Sequence, residues 1–295
     1  MKFVQHSDAQ SYHDAIYHYL MKAELMNNII IGLLSRMIHQ GETFDSKVFL
    51  GHVENADGEI VASTMMAGQG VILSQIKDQD AIALIVNAYA EHYEMVQDVV
   101  GEPDDSEQFA RLWQQKRGHN YHTMMNYGYY QLEDVIQPSR VNGHNRLAEE
   151  DDFELLVNWL MQFNIDTGLD VNPSREFAEK NIRRKLEQPI LGGIRIWMDD
   201  NQPVSMAAVT RELPNGGNIS MVYTPKQYRG HGYASAITAT VSQEVLDMGK
   251  SFSCLATDMS NPTSNKIYQA IGYRFVGYHR RIKFENPSQK DKPDG

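Results

Sequence analysis

A glycine-containing loop between a predicted strand and a predicted helix constrains this chain more than any other stretch. Residues 227–234 read Gln-Tyr-Arg-Gly-His-Gly-Tyr-Ala, after a strand-like run at 218–224 and before a helix-like run at 235–248. Gly230 and Gly232 permit a tight turn that a ligand can approach closely. The N–H groups that open the helix lack carbonyl partners and lie at the positive end of its dipole. The pattern therefore predicts an anion site for a phosphate or diphosphate.

Three classes of phosphate-binding loop differ in the spacing that they require. A dinucleotide fold needs G-x-G-x-x-G near the start of a βαβ unit, whereas here Ser235 takes the sixth position and too little chain follows for a doubly wound sheet. A P-loop needs G-x-x-x-x-G-K-[ST], which the sequence lacks. The Gln/Arg-x-x-Gly-x-Gly/Ala loop of acyl-CoA-dependent acetyltransferases fits Gln227, Gly230 and Gly232. Taken alone, this short pattern is equally compatible with an ordinary tight turn.

A second segment, downstream of the loop, separates these alternatives. An apolar strand is predicted at 252–257. Asn261 and Pro262 then predict the start of a helix, because asparagine is a favoured cap and proline suits the first helical position. Gly272 predicts the end of that helix. Two patterns in this order and at this separation are far more specific than either one.

With both segments in view, the chain resembles the GCN5-related N-acetyltransferase (GNAT) superfamily. The resemblance is carried by Val-Tyr-Thr-Pro at 222–225, by the loop at 227–234, and by Asn-Pro-x-Ser-Asn-x-Ile-Tyr-x-x-Ile-Gly-Tyr at 261–273. It covers about residues 144–285. It implies an α/β fold with a mixed, mostly antiparallel, twisted sheet flanked by helices, and acetyl-CoA as co-substrate.

The resemblance also implies where the co-substrate binds. The strand that ends near Val222 would be splayed from the parallel strand around 252–257, with the pantetheine arm in the gap. Backbone amides of the loop would hold the diphosphate, with His231 as an exposed spacer; for Arg229 a phosphate contact and a solvated surface role stay open. The residues implied to contact the co-substrate are Val222, Tyr223, Thr224, Tyr228, Arg229, Gly230, His231, Gly232, Tyr233, Ala234 and Asn261.

Catalytic roles follow from the same resemblance. Tyr268 lies seven residues after Asn261, where the family places the general acid for the departing thiolate. A phenol of pKa about 10 can donate to a thiolate whose conjugate acid has a pKa of about 8.5, although simple ring packing is the alternative role. A backbone N–H near Val222 would stabilise the tetrahedral oxyanion. The general base stays open between Asp258, Glu212 and a water relay to backbone carbonyls.

Composition excludes several other classes of protein. Residues 1–143 carry 9 basic and 19 acidic side chains, which argues against nucleic-acid binding. The longest apolar run, near residues 29–34, is too short to span a membrane, and the first residues lack a signal-peptide pattern. The single cysteine, Cys254, fits a reducing cytoplasm, and the histidines form no metal-binding pattern. The sequence thus predicts a cytoplasmic protein without a membrane or nucleic-acid partner.

The chain also has an internal organisation. A Pro- and Gly-containing stretch at 137–144 predicts a linker, and residues 286–295 predict a flexible tail. The element order predicted for 1–137 resembles that of 144–285, which indicates a tandem of two related domains. The first domain is predicted to be degenerate, because Glu-Pro-Asp-Asp at 102–105 stands where the second has Asn-Pro, and its acidity would repel a phosphate.

The sequence therefore predicts an enzyme that transfers the acetyl group of acetyl-CoA to a primary amine of a small molecule or peptide. A non-catalytic acyl-CoA-binding or sensing module is the alternative, since the splayed strands lack an evident base. A protein-interaction scaffold that binds no CoA is a third. The acceptor amine stays undefined, and the sequence is compatible with a homo-oligomer.

Overall fold

The computed structural model describes residues 1–39, 41, 48–68, 70–139 and 141–286. They form two compact units, one of Met1–Gly128 with Gly277–Gly295 and one of Tyr129–Val276. Within this described part, no helix is both long and apolar enough to cross a membrane.

The described residues up to position 132 form six strands and four α-helices. In chain order these are β1 (Lys2–His6), α1 (Ala9–Leu20), α2 (Asn28–His39), β2 (Phe49–Glu54), β3 (Ile60–Met66), β4 (Gly70–Leu73), α3 (Ala81–His92), β5 (Asp98–Gly101), α4 (Pro103–Arg117) and β6 (Asn120–Leu132), whose last four residues belong to the second unit.

The second unit repeats this order of elements. After the end of β6 it contains β7 (His144–Leu147), α5 (Phe153–Thr167), α6 (Arg175–Glu187), β8 (Ile194–Asp199), β9 (Gln202–Glu212), β10 (Gly216–Tyr223), α7 (Tyr233–Asp247), β11 (Phe252–Asp258), α8 (Pro262–Ala270) and the start of β12 (Arg274–Glu285). Each repeat is thus a strand, two helices, three strands, a helix, a strand, a helix and a final strand.

The sheet of each unit is mixed and mostly antiparallel, as predicted. In the first unit the strand order is β1-β2-β3-β4-β5-β12-β6, and among the described pairs from β1 to β12 the β4–β5 pair alone is parallel. In the second it is β11-β10-β9-β8-β7, and β10–β11 alone among these described pairs is parallel. The predicted fold class is confirmed.

The core of the second unit shows why these sequences form strands and helices. Along β9, Met206 and Ala208 face a cluster built with α5 and α6, whereas Ala207 and Val209 face a cluster built with α7. Because side chains alternate across a strand, a continuous apolar run is buried on both faces of the sheet. The first unit has its own core, in which Tyr89, Phe109 and Trp113 are fully buried.

The units differ from the predicted domain boundaries of 1–137 and 144–285. Residues 129–137 belong to the second unit, and Gly277–Gly295 belongs to the first. The reason is the pairing of β12, which runs antiparallel to β5 from Lys283 with Asp98 to Arg280 with Gly101. Sequence spacing gave no indication of this long-range ladder. Of the predicted flexible tail, only Asn286 lies within the described residues.

The chain between Ala9 and His39 forms two helices rather than one. Asn27 donates its side-chain amide to the Leu20 carbonyl at 2.9 Å, and Asn28 donates to the Leu25 carbonyl at 2.6 Å. Side-chain amides that satisfy nearby carbonyls compete with helical hydrogen bonds, so the chain turns here and restarts as α2.

Candidate functional site

The strands β10 and β11 separate part-way along their length. Their parallel pairing ends where Ile219 meets Leu255. On the other side of β10, the register with β9 shifts after Ser220, and Met221 has the left-handed φ of +56°. An extra residue in this conformation bends a strand away from its neighbour. The two strands are therefore splayed as the sequence predicted, and backbone groups of β10 beyond Ile219 face a gap.

The loop between β10 and α7 ends in an open helix N-terminus. A short 3₁₀ turn at Lys226–Tyr228 leads into Gly230 and Gly232, with φ of +85° and +84°; Gly232 is the N-cap of α7. No acceptor among the described residues receives a hydrogen bond from the N–H groups of positions 232–235. Four adjacent donors at the positive end of a helix dipole favour an anion.

The gap and the helix N-terminus open into one cavity of about 530 Å³. Its walls come from the end of α5, the end of β10, the loop, the first turn of α7 and one face of α8. The lining residues are Phe163, Asp166, Thr167, Val222, Tyr223, Thr224, Tyr228, Arg229, Gly230, Gly232, Tyr233, Ala234, Ser235, Asn261, Thr263, Ser264, Ile267 and Tyr268.

Comparison with known proteins agrees with this architecture. The family model described as FR47-like protein matches residues 198–282. A GCN5-related N-acetyltransferase from Sphaerobacter thermophilus matches with a TM-score of 0.65 and 15% identity, covering 97% of this chain and 96% of that one. The chain has the GNAT fold. The predicted resemblance is thereby confirmed at the level of the fold.

Two further solved structures with this likeness cover nearly the whole chain. A tandem GNAT protein from the clavulanic acid biosynthesis pathway matches with a TM-score of 0.57 and 10% identity, covering 98% of this chain and 99% of that one. A Drosophila protein matches with a TM-score of 0.71 and 10% identity, covering 97% and 99%. No curated protein matches the chain. Identities this low establish a shared fold and nothing finer.

The GNAT fold brings together nearly all the residues that the sequence singled out. Every position predicted to contact the co-substrate lines the cavity, with the exception of His231. The His231 side chain is exposed and its ring stacks on Tyr233 at 5.5 Å, in keeping with the predicted spacer role. The Tyr233 hydroxyl donates to Asp199, and this hydrogen bond together with burial raises its pKa to about 12.

The helix α8 presents the predicted general acid. Asn261 caps it as expected, because its side-chain oxygen accepts from the Ser264 N–H at 3.1 Å. Tyr268 is 9% exposed and packs near Tyr130 and Tyr273. Burial raises the pKa of Tyr268 to about 12, so its hydroxyl keeps its proton at physiological pH. Within the described part of the chain that hydroxyl has no hydrogen-bond partner, although it lies in a cavity wall.

Neither carboxylate considered as a base lines the cavity. Asp258 accepts from the N–H and hydroxyl of Ser260, at 2.8 and 2.6 Å. Glu212 forms an ion pair with Lys250 at 2.9 Å, and its register partner on β10 is Gly217, on the side of Ile219 where the strands are still paired. Both carboxylates thus have local structural roles.

The carboxylate that does line the cavity is Asp166, near the end of α5. Burial acts to raise the pKa of Asp166, but hydrogen bonds from Arg229 and Lys226 outweigh it and hold that pKa below its usual value. The sequence analysis missed Asp166 together with Phe163 and Thr167. They precede the loop by some sixty positions, and no local pattern links the two segments.

The matching place in the first unit is built differently. There β4 and β5 pair in parallel, and α3 follows β4 after a loop at 74–80. The first N–H groups of α3 are satisfied within that loop, because Ala81 donates to the Asp78 carbonyl at 3.0 Å and Ile82 donates to the Gln79 carbonyl at 3.2 Å. The N-cap of α3 is Asp80, in a right-handed conformation.

Proposed function

We propose that this protein is an acetyl-CoA-dependent N-acyltransferase that acetylates a primary amine of a small molecule or peptide. The observation that carries the proposal is the convergence, on one cavity, of a splayed strand pair and an unsatisfied helix N-terminus. The first offers a strand-like partner to an extended amide-containing arm, and the second offers donors to a diphosphate. Coenzyme A combines these two groups at adjacent places in one molecule.

The residues present fit such a ligand. A Cβ at Gly232 would lie 3.0 Å from a methyl carbon of Val141, so a side chain there would crowd the helix entrance. Gly230 has open space on its Cβ side, which leaves room for a bulky group beside the backbone. Backbone N–H groups at 232–235 would bind the diphosphate, and β10 from Ser220 to Tyr223 would bind the pantetheine amides.

Acetyl-CoA supplies an activated thioester for attack by the amine. Tyr268 would donate its phenolic proton to the departing sulfur, and its raised pKa keeps the hydroxyl protonated across the physiological range. A backbone N–H near Val222, beyond the bulge at Met221, would donate to the oxyanion. The hydrogen-bond capacity left on Tyr268 is consistent with a partner that arrives with the substrate.

The amine must lose a proton before it attacks, because an alkylammonium has a pKa of about 10.4. Among the described residues, β10 has no carboxylate and β11 has only Asp258 at its end. We therefore assign deprotonation to water that contacts backbone carbonyls of the gap, without a single side-chain base. We propose that the first unit is a degenerate repeat that binds no acyl-CoA.

The absence of a side-chain base on the splayed strands favours one second candidate, a non-catalytic acyl-CoA-binding module. Two measurements separate the candidates. Isothermal titration calorimetry with CoA and acetyl-CoA should give one site per chain. Release of free thiol from acetyl-CoA should then depend on an added amine, tested over amino acids, aryl and alkyl amines, polyamines, aminoglycosides and peptides.

Each outcome has a distinct meaning. Binding with amine-dependent thiol release supports the enzyme. Binding without release across the whole panel supports the module. No binding of CoA overturns both and leaves a scaffold, while two sites per chain would contradict the degenerate first unit.

A further inference from the structure

The ion pairs of Asp166 connect the end of α5 to the loop that would hold the diphosphate. One oxygen of this carboxylate lies 2.6 Å from Nη2 of Arg229, and the other lies 3.3 Å from Nζ of Lys226. The Nε of Arg229 donates in addition to the Thr224 carbonyl at 2.9 Å, at the end of β10. The Arg229 guanidinium thus links the end of α5 to the chain just after β10, and Gly230 is the next residue in the loop.

The position of Asp166 in its helix makes this arrangement notable. It is the second-last residue of α5, which ends in a left-handed Gly168. A carboxylate near a helix C-terminus is repelled by the negative end of the helix dipole. The two cations offset that repulsion and lower the pKa of Asp166, so the carboxylate is ionised at physiological pH.

The charges also fit the proposed ligand. Asp166 and Arg229 both line the cavity, and with Lys226 the cluster has a net charge of +1 beside the N–H groups of the loop. A guanidinium fixed by two acceptors retains further N–H donors for a third. Holding it in place before the ligand arrives reduces the side-chain entropy that binding would otherwise cost.

We propose that Asp166 is a positioning residue for acyl-CoA: it acts through Arg229 and Lys226 to hold the loop in the conformation that receives the diphosphate. This inference rests on the proposed function. It predicts that Asp166 affects affinity for the phosphate-bearing part of the donor and leaves the transfer step alone.

The test compares Asp166→Asn with Asp170→Asn, which makes the same change in charge nearby. Within the part of the chain that the structure describes, the Asp170 carboxylate accepts a hydrogen bond only from the Asn172 N–H in its own turn, at 3.0 Å, and Asp170 does not line the cavity. Asp166→Asn should weaken CoA binding and raise the KM for acetyl-CoA about fivefold with kcat unchanged, whereas Asp170→Asn should change neither by more than about twofold.

A second donor identifies the part of the ligand concerned. S-acetylpantetheine has the thioester arm and no phosphate, so its kcat/KM should be the same in wild type and Asp166→Asn. In an Arg229→Gln background, Asp166→Asn should have a smaller effect on CoA binding than in the wild type, because Asp166 can then act through Lys226 alone.

The outcomes are distinguishable from those of the proposed function. Loss of activity with both donors, unchanged CoA affinity in Asp166→Asn, or tighter binding through removal of a negative charge would each overturn the positioning role. If wild-type protein binds no CoA at all, it is the proposed function that fails.

Discussion

The first and second units reach their central helix in different ways. In both, a strand leads through a loop into a helix, and the next strand pairs in parallel with the first. In the second unit the loop ends on Gly232 with a left-handed φ, and the N–H groups of positions 232–235 have no acceptor among the described residues. In the first, Asp80 is the N-cap residue without a side-chain cap hydrogen bond, and the carbonyls of Asp78 and Gln79 accept the first two helical N–H groups. The same connectivity thus gives an open donor set in one unit and a closed one in the other.

The second helix of each pair extends this contrast. Both α4 and α8 begin with a proline after their N-cap, which is Glu102 in the first unit and Asn261 in the second. The Glu102 carboxylate accepts from the Gln75 side chain of its own unit at 2.9 Å. Seven residues after the cap stand Phe109 and Tyr268, respectively. The first unit lacks a phenol at the place where the second offers one to its cavity.

The comparison shows that two units with the same order of elements differ in how the first N–H groups of this helix are satisfied. Both units retain a full sheet and core. The difference between the two helix N-termini depends on a few positions. Substitutions that place the first unit's residue at the matching position of the second unit test it directly.

The largest effect is expected from Gly232→Asp, which introduces the acidic N-cap of the first unit. A carboxylate at this point would accept the helix N–H groups and repel a diphosphate, so CoA affinity should fall about 100-fold or more in calorimetry. Gly232→Asn is the matched control, because asparagine tolerates a left-handed φ and carries no charge; about a tenfold loss is expected. Equal losses in the two variants would exclude the charge effect.

The next largest effect is expected from Tyr268→Phe, which introduces the residue of the first unit. Removing a general acid should lower kcat about 100-fold while the Kd for acetyl-CoA changes little. The stability cost should be small, since the hydroxyl has no partner within the described residues. Because the pKa of Tyr268 is about 12, kcat of the wild type should show no alkaline loss from this group below about pH 10.

Tyr273→Phe is the control for that experiment. Its hydroxyl is bonded to Ser242 at 2.9 Å and Ser253 at 2.7 Å. This variant should lose about 1 kcal/mol of stability and keep its kcat. If Tyr268→Phe and Tyr273→Phe behave alike in both measurements, Tyr268 has only a packing role.

The smallest effect concerns the stability of the first unit. Asp105 on α4 is 2% exposed, and burial raises its pKa to about 6, although the Gln79 amide donates to it. A carboxyl whose pKa is higher in the folded protein stabilises the fold below about pH 4, and this contribution is lost as the pH rises through about 6. Asp105→Asn should therefore stabilise the first unit at pH 7.5 by about 1–2 kcal/mol and have little effect at pH 4.

Hydrogen exchange of peptides within 81–117 measures the stability of the first unit separately from that of the second. Asp104→Asn is the matched control: Asp104 is exposed in the same helical turn, where a negative charge is favourable, so its removal should cost at most about 0.5 kcal/mol. A pH-independent gain in Asp105→Asn would contradict the titration of that carboxyl.

Local signals explain what the sequence could predict. The loop at 227–234, the cap at Asn261 and the stop at Gly272 depend on backbone preferences of adjacent residues, and the structure has each of them. The bulge at Met221 has no such signal, since methionine is not typical of a left-handed φ. The contact of Asp166 with Arg229 spans 63 positions and depends on tertiary packing alone.

The placement of β12 has a consequence for synthesis. Residues 280–283 complete the ladder beside β5, which is translated about 180 residues earlier. While the ribosome is still making the second repeat, the nascent first unit has an uncovered sheet edge of the kind that chaperones and neighbouring chains bind. A stop codon or cleavage after residue 276 would thus leave this edge uncovered in the unit that is translated first. In the full-length chain, a probe of folding in the first unit should report completion only when translation is almost finished.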